Sequence, residues 1–483
     1  KRPAPYAIFS VYPRELKIRH RLFPYTVEKI SGEAVYDSRR PESGVLLNIE
    51  GLHGGQKIAC KGSFDVHAGP AEENEDPPGF EINITSPQLQ YDKDIRAALQ
   101  PEVSKMVDTF AFKGAFKTDV SIASQYSGQP RLKVVLDLLK GEIQAVDFPY
   151  RLQLAAGRVV IENNETVQFS GFKTASGAGA QMSFDGSLRR LNDTRKLEYR
   201  LLLADFKLDE KFREAFPAQY QNLLDGLGLE GTFSGRLAGW YLKNLTDSAN
   251  DKHYFEGTDI RTRDAAVNFG VKVSQMDAQG RFTGGHNEDR PNHFWGEVKV
   301  QKARFNRLQL KDGDIVFTFG EQHDRIRRLA DSVDTPGEKG PYLSSSIIGR
   351  LARGDVTDTF QMSIASDNFY KGRLDGMLYV DTGEKVGDLG GEFAASGISL
   401  AEASVDVFGG RKEATSGTAS GTVFFAGKTG DQRSIRGEGV GLIKGANLAQ
   451  LPLFLDIFKL FKVPDLINLG FSDLLLRSKL DNV

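Results

Sequence analysis

The chain is predicted to be mainly β with a few helices (an α+β class), its repeated, stacked and twisted antiparallel sheets forming an elongated groove or open sandwich. Three observations predict this. Short alternating stretches recur from end to end (VLLNIEG, KIACKGSFDV, FEINITSPQLQY, LKVVLDLL, WGEVKVQKARF, DIVFTFGE, RLDGMLYVD), punctuated by Gly, Asn and Asp. A period of two over such lengths marks half-buried antiparallel strands. One phrase is also written twice: FPYTVEKISGEAVY at 23–36 and FPYRLQLAAGRVVI at 148–161 share Phe-Pro-Tyr and a glycine nine residues after the Phe, Gly32 and Gly157. Helical spacing, finally, is confined to a few short segments.

Residues 1–22 are predicted as an entry strand, followed by a first repeat unit over 23–147. Pro24 suits a strand start, where a missing N–H is tolerated, and Gly32 is expected at a bulge or turn. The second repeat unit, 148–245, follows the first closely. KIACKGSF at 57–64 aligns with QMSFDGSL at 181–188, setting Gly62 on Gly186. Residues 91–117 then align without a gap on 208–234, pairing Ile95 with Phe212, Leu99 with Phe216, Val103 with Tyr220 and Met106 with Leu223. These positions share one helical face, so each unit is expected to read four strands, one amphipathic helix and two strands. Residues 246–390 form a β-rich middle region with charged loops and no clear helix. The last region, 391–483, is Gly/Ala/Ser-rich and strand-like until a strongly apolar helix predicted over 448–462, a pattern of near-complete burial or lipid contact.

Composition narrows the function. With 62 basic against 64 acidic residues among 483, no net field draws the chain to nucleic acid. The single cysteine, Cys60, excludes an internal disulfide and a multi-Cys zinc site, and its alternating context suits a small buried hydrophobe. No run of about 18 apolar residues is present. A start at Lys1 is read as a piece of a longer protein whose targeting segment has been removed.

Catalytic motifs fail on inspection. AGKTGD at 426–431 has five residues between Gly421 and Gly427 where a phosphate loop needs four, and GEGVG at 437–441 suits a close-packed strand. His286 and His293, with Glu288 or Asp289, could hold a cation but fit a solvated loop. Sequons at Asn83, Asn164, Asn192 and Asn244 are near chance frequency. No catalytic residue, metal site or cofactor is predicted. What stands out is a surplus of alternating apolar residues with few helices to cover them. In YRLLLADFKL both faces read as apolar, Tyr199, Leu201 and Leu203 against Leu202, Ala204 and Phe206, while Val298, Val300, Ile315, Phe317 and Phe319 form a stripe. The candidate lining of a lipid groove is therefore Leu201, Leu203, Val298, Val300, Ile315, Phe317 and Phe319.

Residues 435–474 carry a more specific pattern: a Gly-x-Gly strand at Gly437 and Gly439, a turn with Gly445, Asn447 and Leu448, a Leu-Pro-led helix at Leu451 and Pro452, and an aromatic after a loop at Phe471. This resembles the carboxy-terminal region of AsmA-like and TamB/YhdP-like bacterial envelope proteins, and 397–427 resembles their strand-loop-strand units. The combination with Phe-Pro-Tyr units is similar to large repeat proteins of Planctomycetes-type bacteria. The resemblance implies a parent anchored in the inner membrane, extending through the periplasm as a twisted sheet, its groove carrying phospholipid or another acyl lipid. The expected function is thus non-enzymatic lipid binding or transfer in envelope biogenesis. The alternative is an envelope scaffold whose β repeats dock protein partners, and an enzyme with paired carboxylates on adjacent strands is the third reading.

Overall fold

The computed structural model describes residues 6–19, 25–39, 44–65, 79–98, 104, 108, 111–124, 131–144, 150–163, 166–175, 181–191, 193–207, 210–214, 230–247, 250–268, 272–287, 293–305, 308–320, 359–381, 387–408, 416–428, 431–446 and 473–480. Among the described residues strand accounts for 82% and helix for 6%, so the protein is mainly β with few helices. Two compact units divide the chain. Unit 1 takes residues 1–206, 210–221 and 240–246, and unit 2 takes 207–209, 222–239 and 247–483.

Unit 1 opens with β1 (Ile8–Val11), β2 (Leu16–Arg19), β3 (Thr26–Asp37), β4 (Val45–His53), β5 (Gln56–Phe64) and β6 (Phe80–Gln90). Helix α1 (Lys93–Ala98) follows, then β7 (Lys113–Ser124), β8 (Arg131–Ile143), β9 (Leu152–Glu162), β10 (Thr166–Thr174), β11 (Gln181–Leu191), β12 (Thr194–Lys207) and α2 (Glu210–Glu214). From β3 to β12 each strand pairs antiparallel with the next. Sequence neighbours thus become sheet neighbours, the shortest connection antiparallel strands allow. β1 and β2 lie end to end along the other side of β3 and, among the described residues, form that edge.

After β13 (Glu230–Asn244), unit 2 continues with β14 (Lys252–Asn268), β15 (Lys272–His286), β16 (His293–Phe305), β17 (Leu308–Phe319), β18 (Thr359–Phe369), β19 (Gly372–Asp381) and β20 (Asp388–Ser399). Helix α3 (Leu400–Phe408) precedes β21 (Thr418–Lys428), β22 (Asp431–Lys444) and β23 (Asp473–Leu480). Here too β14 through β23 pair antiparallel in chain order. The main core is a cluster of buried Val267, Val273, Val300, Leu310, Ile364, Phe369 and Ile398 with Ala278 and Ala303, backed by Met276, Val298, Ile315 and Phe393.

The structure refines the sequence reading at several points. Gly32 and Gly157 stand inside β3 and β9 and make no turn, although register shifts fall beside both, between Glu28 and Ser31 and opposite Gly157 between Ser170 and Lys173. Gly32 takes φ 131° and its α-carbon faces the Asn48 carbonyl, so a side chain would meet backbone. The stretch 397–427 includes α3 where a loop is expected. Ser399 Oγ accepts from the Glu402 N–H at 3.4 Å, and apolar Leu400, Ala403 and Val407 recur at helical spacing in the sequence. Helix α1 is described only to Ala98, so the face partners Val103 and Met106 lie outside the described residues, as do the helix at 448–462 and the motif positions Asn447, Leu451, Pro452 and Phe471. Lastly, in YRLLLADFKL Leu202 is 50% exposed, whereas Leu203 and Phe206 are buried.

Candidate functional site

Period two fixes which residues share a face, and the registers show what each face carries. In unit 1 a row perpendicular to the strands runs Gly32, Ile49, Cys60, Ile84, Val120, Val134, Ile161, Val167, Leu188, Leu197, one residue from each of β3 to β12. No member is polar. At about 4.8 Å per strand, the row extends roughly 43 Å. The nine side chains from Ile49 to Leu197 are all half-buried, shielded in part by the sheet and, at Ile84, by the Tyr25 and Ile58 cluster. Burial pushes the Cys60 thiol above its ordinary pKa, in keeping with an apolar neighbourhood. A parallel row holds Leu136, Val159, Phe169, Gly186 and Tyr199. Leu201 joins this face opposite Phe184, and Leu203 opposite Met182, where Leu203 is buried.

The reverse face of unit 1 is the opposite in chemistry. Lys61, Asn83, Ser121, Lys133, Glu162, Thr166, Arg189 and Lys196 stand in one row. Lys133 pairs with Glu162 at 3.6 Å and Lys196 with Glu198 at 2.7 Å. The Arg158 guanidinium hydrogen-bonds Asp137 and holds its carboxyl below the usual range.

Unit 2 carries a second apolar face. Phe282, Gly296, Phe317, Met362, Leu378, Gly391, Phe425 and Gly437 stand in register from β15 to β22, and beside them Gly280, Val298, Ile315, Ile364, Gly376, Phe393, Val423 and Gly439. Phe319 opens a third row with Phe294, Phe360, Val380 and Leu389. Large and absent side chains alternate for a reason. The rings of Phe282, Phe317, Phe393 and Phe425 lie over Gly257, Gly296, Gly376 and Gly391, where any Cβ would collide with them. Flat rings over glycine make a low, smooth floor. At one end of this face a cavity of about 330 Å³ is lined by Phe369, Leu374, Phe393, Ala395, Ile398 and Val423 among others. The structure therefore sets Val298, Ile315, Phe317 and Phe319 together, half-buried, on one face, whereas Val300, on the same face two residues along β16 from Val298, is sealed in the core cluster. Gly437 and Gly439 extend the face as flat strand positions of β22, and Gly445 turns the chain after it at φ 64°.

Sequence reasoning missed the long row of unit 1. Every strand in it shows alternation, but the face that a residue joins depends on bulges, such as those between Ser86 and Leu89 and between Ala115 and Phe116, which a repeat pattern does not reveal. It also missed His53, Asp92 and Asp94, which one end of unit 1 brings together. His286 and His293 lie at the facing ends of β15 and β16, with His253 stacked on His286 at 5.9 Å. Glu288 and Asp289 lie outside the described residues. No known family model, curated protein or solved structure matches this chain. No helix among the described residues is long and apolar enough to cross a membrane.

Proposed function

We propose that this chain is a non-enzymatic lipid-binding protein that receives acyl chains on its apolar sheet faces, as an AsmA-like component of the bacterial envelope working in the periplasm and tethered to the inner membrane through its parent. The observation that carries the reading is the unit 1 row from Ile49 to Leu197: nine apolar side chains in register, all half-buried, backed by a charged reverse face. A sheet with a wet outer side and a half-buried apolar inner side of this length calls for an apolar occupant. Its span of roughly 38 Å exceeds the ~15 Å depth of one bilayer leaflet, so it suits acyl chains laid in series better than a single buried cofactor. Selectivity would come from width and apolarity.

Native mass spectrometry of mildly purified chain should show bound phospholipid. Val134→Glu, a charge in the middle of the row, should abolish that binding while leaving the circular dichroism spectrum of the β-sheet in place. Absence of lipid under every mild preparation, or equal lipid on the variant, would sink the reading. The second reading, a protein-docking scaffold, is favoured by the edge strand, where Tyr6, Phe9, Val11 and Tyr12 are 61–64% exposed. Charges at Phe9 and Val11 should then abolish partner binding and spare lipid.

A further inference from the structure

We infer that His53, Asp92 and Asp94 form a binding site for a divalent first-row transition ion, a clasp that ties the start of α1 to the β4–β5 hairpin. The inference stands apart from the lipid-binding reading. His53 closes β4, and its side chain is 8% exposed, under the ring of Tyr25 at 3.9 Å between centroids. Its Nδ1 lies 2.6 Å from the Thr26 carbonyl oxygen. A carbonyl only accepts, so Nδ1 carries a proton, and in the tautomer that binds a metal the Nε2 lone pair faces the two carboxylates. Imidazole ligands are held in the same way, with the outer nitrogen donating to a backbone carbonyl.

Asp92 is equally fixed. Its Oδ1 accepts the N–H groups of Asp94 at 3.0 Å and Ile95 at 2.9 Å as the cap of α1, which leaves Oδ2 aimed at His53. Nε2 stands 3.4 Å from Asp92 Oδ2 and 3.6 Å from Asp94 Oδ2. Those distances decide between two arrangements. A charged imidazolium bonded to a carboxylate would close to about 2.7–2.9 Å. A tetrahedral ion with bonds of about 2.0–2.1 Å holds its ligand atoms roughly 3.3–3.4 Å apart, close to the 3.4 Å and 3.6 Å that separate Nε2 from the two oxygens. One nitrogen with two carboxylate oxygens suits zinc or its neighbours better than calcium, which takes six to eight oxygens. The cluster of Tyr25, Ile58, Val27, Ile84 and Ile95 walls the inner side, while Asp94, its side chain 52% exposed, leaves a path in from solvent.

The test is zinc titration of the full chain by calorimetry, with cobalt as a spectroscopic stand-in. Asp94→Asn is the informative variant, because the Asp94 side chain caps nothing. Asp92→Asn keeps the helix cap, since asparagine caps as well as aspartate. Wild type should bind one equivalent of zinc more than either variant, at least a hundredfold tighter at that site, and should show the intense visible bands of four-coordinate cobalt. Counting by difference cancels zinc on other histidines such as His253. Zinc should raise the melting temperature of the wild type alone. Equal stoichiometry in wild type and Asp94→Asn, or no zinc bound by either, would overturn the site. Displacement of zinc by a thousandfold excess of magnesium would overturn the choice of ion.

Discussion

Units 1 and 2 share one architecture, an antiparallel meander with an apolar face, and differ in how that face ends. In unit 1 the long row stays half-buried from Ile49 to Leu197, and the reverse face is solvated and charged. In unit 2 part of the same kind of surface converges into a sealed cluster around Val300, Leu310 and Ile364, and the reverse face of β17 to β19 buries polar residues as well. Thr318 and Gln361 stand in register there, with Thr359 and Ser363 alongside, each no more than 1% exposed. The comparison teaches that alternation alone yields two outcomes. Where rows meet across a curved or capped sheet they become core; where they do not, they remain an unsealed floor.

The largest effects should separate the two outcomes. Ile364→Glu places a charge in the sealed cluster of unit 2 and should unfold that unit, at a cost of several kcal/mol. Val134→Glu in unit 1 should leave a folded sheet. If urea melts show both variants equally folded or equally unfolded, the two faces do not differ as described. A gentler pair sharpens the same contrast: Leu310→Ala, at a fully buried position, should cost about 3 kcal/mol, and Ile49→Ala, half-buried, about 1 kcal/mol. Chemical denaturation followed at a reporter in each unit measures the ratio.

Next in size is the device that closes the unit 2 core. Tyr370 and Lys371 form the two-residue turn between β18 and β19 with φ 48° and 64°, a conformation that normally asks for Asn-Gly. The phenol oxygen holds it there, accepting the Gln309 N–H at 2.6 Å and donating to Asp406 of α3 at 3.1 Å. Burial pushes the phenol up to about 12, so it stays protonated and keeps donating. Tyr370→Phe removes both bonds and should cost about 1–2 kcal/mol, with hydrogen exchange of α3 amides rising first.

These particulars show what was legible in the chain. The β class was, because VLLNIEG and FEINITSPQLQY alternate without ambiguity, and so was the helix after the fourth strand, marked by Asp92 and the Ile95-led face. The stripe Val298, Ile315, Phe317 and Phe319 was legible because β16 and β17 form a tight hairpin whose register the pattern fixes. Leu203 and Val300 were misjudged as open lining, since depth in a curved sheet depends on neighbours several strands away. The α3 helix hid behind small residues that read as strand, and the Tyr370 turn lacked turn chemistry altogether. His53 and Asp92 lie 39 positions apart, and only the β4–β5–β6 meander joins them.

The smallest effect tests the reverse face of unit 2. Glu392 on β20 stands in register with Met377 and Phe424, and burial holds its carboxyl above the ordinary carboxylate range. A raised pKa means that the folded state holds a proton the unfolded state has already released. Stability must then be greatest below the unfolded value of 4.5 and fall as pH rises through the folded value. At neutral pH the charged form is a burden on the fold, so Glu392→Gln should stabilise unit 2 there. The advantage should shrink to nothing as the pH falls below the unfolded value, where both side chains are neutral. A pair of urea titrations, one neutral and one acidic, reads it. A variant less stable than wild type at pH 7 would mean that this face presents Glu392 to a favourable charge, and that the reverse face of unit 2 is as polar in character as that of unit 1.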